Sequence, residues 1–208
     1  MKTGTPQATM TIAVATAASY VLVAAIDGGP HAAMAGGFIP ARFSGLAVPG
    51  ALPAWITPLS ATLLHGGLLH LGFNLLMLYY CGREDETVLG PGATVALYLV
   101  GAYAAAFCQF LASPGSPVPM IGASGAISAL VGAYAILYGR RRPSQLHPEL
   151  ARWVHIAWLA IAWVALQLLL GIASAAEGIA IAAGAHIGGF LAGVLLARPL
   201  LRWRYRRA

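Results

Sequence analysis

Charge is scarce in this chain. Only 9% of its 208 residues are Asp, Glu, Lys or Arg, against 59% hydrophobic residues. No charged residue falls between Lys2 and Asp27, Arg42 and Arg83, Glu86 and Arg140, Arg152 and Glu177, or Glu177 and Arg198. Uncharged stretches of that length argue against a soluble domain, because about 20 apolar residues are what a helix needs to cross a bilayer. Cysteine is nearly absent too. Cys81 and Cys108 sit at different levels of neighbouring apolar stretches, which argues against a disulfide framework and for packing roles. There is no internal repeat. The longest loop, 27–61, is rich in Gly, Pro and Ala and carries Trp55 as an interfacial anchor.

What remains is a polytopic all-α membrane chain. The uncharged run from Thr87 to Gly139 is broken near its middle by "SPGSPVP" and so holds two spans. The count is six, near 8–26, 62–81, 92–112, 118–139, 153–175 and 178–197, read as one membrane domain over 1–208. Each is expected to be helical, since lipid offers backbone polar groups no other partner. Six spans put both termini on one side. If that side is cytoplasmic, eleven of the twelve basic residues (all but Arg42) lie inside, as the positive-inside rule requires. The pI near 9.8 then reads as anchoring to the inner leaflet of the lipid bilayer. A nucleic-acid partner would need a soluble basic face, and none is visible. Span 1 has the charged start of a signal peptide, but its apolar run is long for one, so it reads as a retained helix.

Polar residues inside spans are costly and therefore informative. On the span count, Ser124 lies six residues, roughly 9 Å, below the outer end of span 4. His186 lies eight residues down span 6, and His70 and Asn74 eight and twelve down span 2. His70 and Asn74 are four apart and share a helix face, whereas His65 is five before His70 and points elsewhere. Ser124, Ser128 and Gly132 form a small-residue stripe on span 4; Ala182, Gly189 and Gly193 form another around His186. Two such stripes let backbones approach closely. That approach brings a hydroxyl to an imidazole, and neutral imidazole can take a serine proton near pH 7. The Ser124 N–H and the side chains of His70 and Asn74 are candidate donors to a developing oxyanion. No Asp or Glu lies inside any span, so the pair is a dyad and not a triad.

These residues carry a resemblance. "GASG" at 122–125, "AHIGGFLAG" at 185–193 and "HGGLLHLGFN" at 65–74 resemble the motifs of the rhomboid intramembrane serine proteases, on the fourth, sixth and second spans respectively. The resemblance covers roughly residues 55 to 197. It implies a six-transmembrane-helix rhomboid-like bundle, with Ser124 as nucleophile, His186 as general base, and His70 and Asn74 with the Ser124 N–H lining the oxyanion hole. It makes His65, Gly122, Gly125, Gly189 and Gly193 structural neighbours of the site and Glu86 a structural glutamate. It also implies a single-span transmembrane protein as substrate, cut in or near its membrane segment at small residues, and a role for span 5 in admitting it. Two positions depart from the family pattern. Trp55, ten before His65, is followed by Ile56 where many members have arginine, and Ser128 stands where an aromatic usually stacks on the histidine.

Other readings compete. Ser124 alone would be a packing serine bonded one turn back, and His70 with Asn74 a structural interhelical pair. A rhomboid-like protein that binds transmembrane segments without cutting them is the alternative function. A small transporter would ordinarily carry an intramembrane charge, and there is none. Metal binding by His65, His70 and His186 lacks a His-Glu-x-x-His pattern and a supporting carboxylate. His31, His147, His155, Gln109 and Gln167 read as uninvolved. The sequence therefore points to an intramembrane serine endopeptidase without metal or cofactor, in a bacterial-type inner membrane with its site opening outward.

Overall fold

The computed structural model describes residues 6–26, 29–138, 147–173 and 182–206, with side chains at 148, 152 and 167–173 excepted. Lys2, Arg140–Arg142, Arg207, the Gln167 side chain and parts of the expected fourth, fifth and sixth spans (139, 174–175 and 178–181) lie outside the described residues.

The described chain is helix and loop. In order come α1 Gln7–Ile26, α2 Pro30–Gly36, a 3-10 turn at Pro40–Ser44, α3 Thr57–Ser60, a second 3-10 turn at Ala61–Leu63, α4 Leu68–Leu89, α5 Pro91–Ala112, α6 Ser124–Leu137, α7 Pro148–Ala173 and α8 Ala183–Arg204. Among the described residues β pairing is limited to one bridge, Phe38 with Met120. Four described helices are long and apolar enough to cross a membrane. The pair Thr57–Leu63 and Leu68–Leu89 makes one more span if taken together, bent by 104°.

Three boundaries differ from the sequence reading. The second span is not one rod from 62 to 81: the chain bends between Leu63 and Leu68, and α4 then runs past the charged "REDE" to Leu89. Charged residues at a helix end do not stop it, whereas Gly90 does. Gly90 has φ +84, its N–H caps on Glu86 C=O, and Pro91 opens α5 directly after it. A left-handed glycine followed by proline is a common stop-and-restart signal. The fourth span is shorter than 118–139. Residues 118–123 are not helical. The 14 residues of α6 make about 21 Å at 1.5 Å each, against the roughly 30 Å of a hydrocarbon core. A short helix with irregular backbone leading into it is tolerated at membrane depth when protein surrounds it. Here all of α6 except Ser124, Tyr134, Ile136 and Leu137 is buried. The sixth span starts at Ala183, so Ala182 precedes the helix and does not belong to the stripe under His186.

α6 is the centre of the bundle, with α4, α5 and α8 packed around it. Between α6 and α8 the contact is backbone against backbone. A Cβ added at Gly189 would run into Gly125 C=O, one at Gly193 into Ala129 C=O, and one at Gly132 into Phe190 C=O. Close approach of this kind is how membrane helices gain van der Waals contact without a hydrophobic drive between them. α5 joins the same core, where a Cβ added at Gly125 would stand 2.6 Å from Ala105. Cys108 lies against Gly188, and neither cysteine is in a disulfide.

α1 is tied on by Glu86. The side-chain oxygens of Glu86 accept from the Ala8 N–H at 3.0 Å, the Thr9 N–H at 2.8 Å and the Thr9 hydroxyl at 2.7 Å, all buried. Ala8 and Thr9 are the second and third residues of α1, whose N–H groups an N-cap normally satisfies. A glutamate from α4 thus caps a helix distant in sequence, and the Thr9 side chain rests on Gly82. Glu86→Ala is expected to destabilise the protein by about 1–3 kcal/mol, the cost of leaving buried donors unpaired. Glu86→Gln should cost less, because its carbonyl oxygen still accepts. Thermal unfolding in detergent checks both.

Candidate active site

The segment before Ser124 is pinned by its backbone. Phe38 and Met120 exchange N–H···O=C bonds of 2.9 and 2.8 Å, and the Gly122 N–H donates to Ala61 C=O at 2.8 Å. Gly122 has φ +113, a conformation that disfavours any side chain. It is also where the His70 ring fits: an added Cβ would stand 2.6 Å from His70 Nε2 and 2.7 Å from Cε1. Gly122 meets both demands at once, and neither is the helix packing its place in an apolar run suggests. Gly125, by contrast, is a packing glycine against α5 and α8.

Ser124 is the first residue of α6, not a residue one and a half turns inside a helix as its spacing predicts. The first i→i−4 bond runs from the Ile127 N–H to Ala123 C=O at 2.9 Å. The N–H groups of Ser124, Gly125 and Ala126 therefore precede the hydrogen-bond ladder, at the positive end of the helix. His186 lies in the first turn of α8 and is buried. Its Nε2 is 2.9 Å from Ser124 Oγ. This is hydrogen-bond distance between two groups 62 residues apart, and it is created by the Gly189 and Gly193 contacts one and two turns below. His186 Nδ1 is buried without a hydrogen-bond partner among the described residues.

His70 stands in the first turn of α4, directly after the bend. Its Nδ1 accepts from the Gly66 N–H at 3.4 Å. An Nδ1 that accepts leaves the ring proton on Nε2, the atom that lies over Gly122. Asn74 is buried, and its Nδ2 donates to His70 C=O at 2.8 Å. A side-chain amide carries two N–H donors, so one remains for another acceptor. His65 lies in the bend itself, buried, with both ring nitrogens unpartnered among the described residues and its ring 5.0 Å from that of His70. The expectation that it points away from His70 assumed a continuous helix, and the bend removes that assumption.

Trp163 escaped the sequence reading, and Ser128 was read there only as a stripe residue and a missing aromatic. The Trp163 Nε1–H of α7 donates to Ser128 Oγ at 2.7 Å, and the Ser128 hydroxyl donates to Ser124 C=O at 2.7 Å. A signal was present. Trp163 sits ten residues into the expected fifth span, whereas membrane tryptophans concentrate at the interfaces, and a buried indole N–H calls for an acceptor. Among the described residues no group of three or more His, Cys, Asp or Glu side chains is arranged to hold a metal ion.

The arrangement sets an imidazole nitrogen at hydrogen-bond distance from Ser124 Oγ, with the His70 ring over Gly122 and the unladdered N–H groups of α6 beside the serine. Comparison with known proteins bears on what it does. Residues 53–203 match the family model described as Rhomboid domain. The chain is 34% identical over 143 residues to Rhomboid protease GlpG of Photorhabdus laumondii, covering 69% of this chain and 45% of that one. It is 33% identical over 138 residues to Rhomboid protease GlpG of Pectobacterium atrosepticum, covering 66% of this chain and 46% of that one. Rhomboid protease GluP of Bacillus subtilis is 36% identical over 89 residues, 42% of this chain and 17% of the relative. The chain therefore spans less than half the length of these curated relatives.

Proposed function

The chain belongs to the rhomboid family, and from that premise we propose that it is an intramembrane serine endopeptidase. It cleaves single-span membrane proteins in or near their transmembrane segment by means of a Ser124–His186 dyad. The observation that carries this reading is the 2.9 Å separation of Ser124 Oγ and His186 Nε2.

In the mechanism, His186 Nε2 accepts the Ser124 hydroxyl proton as Oγ attacks the scissile carbonyl carbon. The carbonyl π pair moves to oxygen, and that oxyanion meets the Ser124 N–H, the free Asn74 N–H and His70 Nε2–H. Collapse of the intermediate breaks the C–N bond, and His186 returns the proton to the leaving amine. Water then attacks the acyl-enzyme with His186 again as base, which releases the carboxylate product and restores the serine. Gly122 supports the reading because its missing side chain leaves the His70 ring beside the nucleophile. Gly122→Ala is expected to displace that ring and lower the cleavage rate by about tenfold or more, measured against the same substrate as the unmodified protein.

Both termini are assigned to the cytoplasm of a bacterial-type inner membrane, with the site opening to the opposite side. The support is the distribution of the twelve basic residues, eleven of them on one side of the six-span count. Residues 1–208 form one membrane domain on this reading. A binding role without catalysis is the second reading, and Ser128 in place of the family's aromatic is the observation in its favour. Purified protein in liposomes, given a single-span test substrate, separates the two. The unmodified protein should produce two fragments whose masses sum to the substrate plus one water, and Ser124→Ala and His186→Ala should produce none. Equal cleavage by all three would overturn the dyad. Retention of intact substrate by the unmodified protein would leave the binding role.

A further inference from the structure

α7 lies at the edge of the bundle, and among its described side chains only Ile156 and Trp163 are buried. Most of its surface faces outward, so what those two residues touch decides how the helix is attached. Trp163 carries a donor and no acceptor. Its Nε1–H meets Ser128 Oγ at 2.7 Å, so the Ser128 hydrogen must point elsewhere, and Ser124 C=O is 2.7 Å away. The direction of the chain is thus fixed by chemistry: Trp163 N–H to Ser128 O–H to Ser124 C=O. Ser128 has no exposed surface, so water does not compete for either bond.

The geometry points to Trp163 and Ser128 as positioning residues for the nucleophile, an assignment that rests on the protease reading. Ser124 opens α6, and the N–H groups of the first turn have no carbonyl within the helix to hold them. The Ser124 carbonyl is the backbone handle that remains, and the Ser128 hydroxyl adds a second donor to it beside the helical N–H of the same residue. A donor behind that hydroxyl polarises it and strengthens the bond. Ser128 also faces α8: a Cβ added at Gly189 would stand 3.0 Å from Ser128 Cβ. One small residue thus braces the serine of α6 and packs beneath the histidine of α8. The family's aromatic at this position is absent, and an aromatic from α7 reaches the same place by a hydrogen bond.

The test uses the 208-residue chain in liposomes with Trp163→Phe, Ser128→Ala and the double variant. Trp163→Phe keeps an aromatic ring and removes the N–H. Cleavage of the single-span substrate gives kcat and KM, and the labelling rate of Ser124 by a small fluorophosphonate probe reports the serine without a protein substrate. Each single change should lower kcat and labelling rate together by about 5- to 10-fold, the size expected for one lost buried hydrogen bond. KM should stay within about twofold, and the double variant should be no worse than the worse single one, as for members of one chain of bonds. Ser128→Thr, which keeps the hydroxyl, should restore most of the rate. If one variant does not fold, the other carries the comparison. Labelling and kcat unchanged in folded Trp163→Phe, a rise in KM alone, or effects that multiply in the double variant would each overturn the assignment. An unmodified protein that neither cleaves nor labels would overturn the protease reading itself, a result distinguishable from failure of the positioning chain alone.

Discussion

Ser124→Ala is expected to lower substrate cleavage by at least about 10³-fold, and His186→Ala by nearly as much. The reason is chemical and leaves little room for substitutes. Removal of Oγ removes the atom that forms the acyl bond. Removal of the imidazole leaves a hydroxyl with no other hydrogen-bonding base among the described residues, and the carboxylates of α4, Glu84 to Glu86, lie at the far end of that helix from His70. The double variant should be no slower than Ser124→Ala, because the two groups act as a unit. Initial rates in liposomes over a series of substrate densities check this. A His186→Ala protein that keeps a tenth or more of the rate would mean that another group takes the proton.

The second large effect comes from a single methyl group. Gly189→Ala places a Cβ against Gly125 C=O, backbone on backbone, one turn below His186. Neither partner can rotate away, so α8 must move off α6, and the 2.9 Å Ser124–His186 contact must lengthen with it. A misplacement of about 1 Å at reacting atoms costs on the order of 10²-fold in rate. Gly189→Ala is therefore expected to lose about 10²-fold in cleavage and also to unfold at lower temperature, since overpacking a tight contact costs about 1–3 kcal/mol. Gly72→Ala is the control: nothing lies within 4 Å of its added Cβ, and both rate and melting temperature should stay near those of the unmodified protein.

The residues of the site were legible because polar side chains stand out in apolar helices. Ser124, His186, His70 and Asn74 share no local sequence, yet each is an expensive residue to bury, and counting spans was enough to bring them to a common region. The small residues at 189 and 193 were legible for a similar reason, since their spacing matches one face of a helix. What was not legible concerns the backbone. Hydropathy reports the transfer cost of side chains and is the same whether 118–123 is helix or strap, so the start of α6 at Ser124 left no mark in it. The bend before α4 was hidden in the same way, although "HGG" supplied two adjacent glycines as a hint. That bend decides more than length: it sets His65 beside His70 and gives His70 Nδ1 its donor from Gly66. Trp163 and Ser128 meet across 35 residues, and no periodicity within either helix encodes which faces meet. Glu86 was legible as a structural glutamate only through resemblance. That its partner is the first turn of α1 is a tertiary fact.

The measurement that tests the account most directly is the fate of a fluorophosphonate probe on the purified, membrane-embedded protein. The account predicts one adduct per chain, mapped by peptide mass spectrometry to Ser124, absent in Ser124→Ala and almost absent in His186→Ala. An adduct on another residue, or labelling of Ser124 that proceeds unchanged without His186, would contradict it.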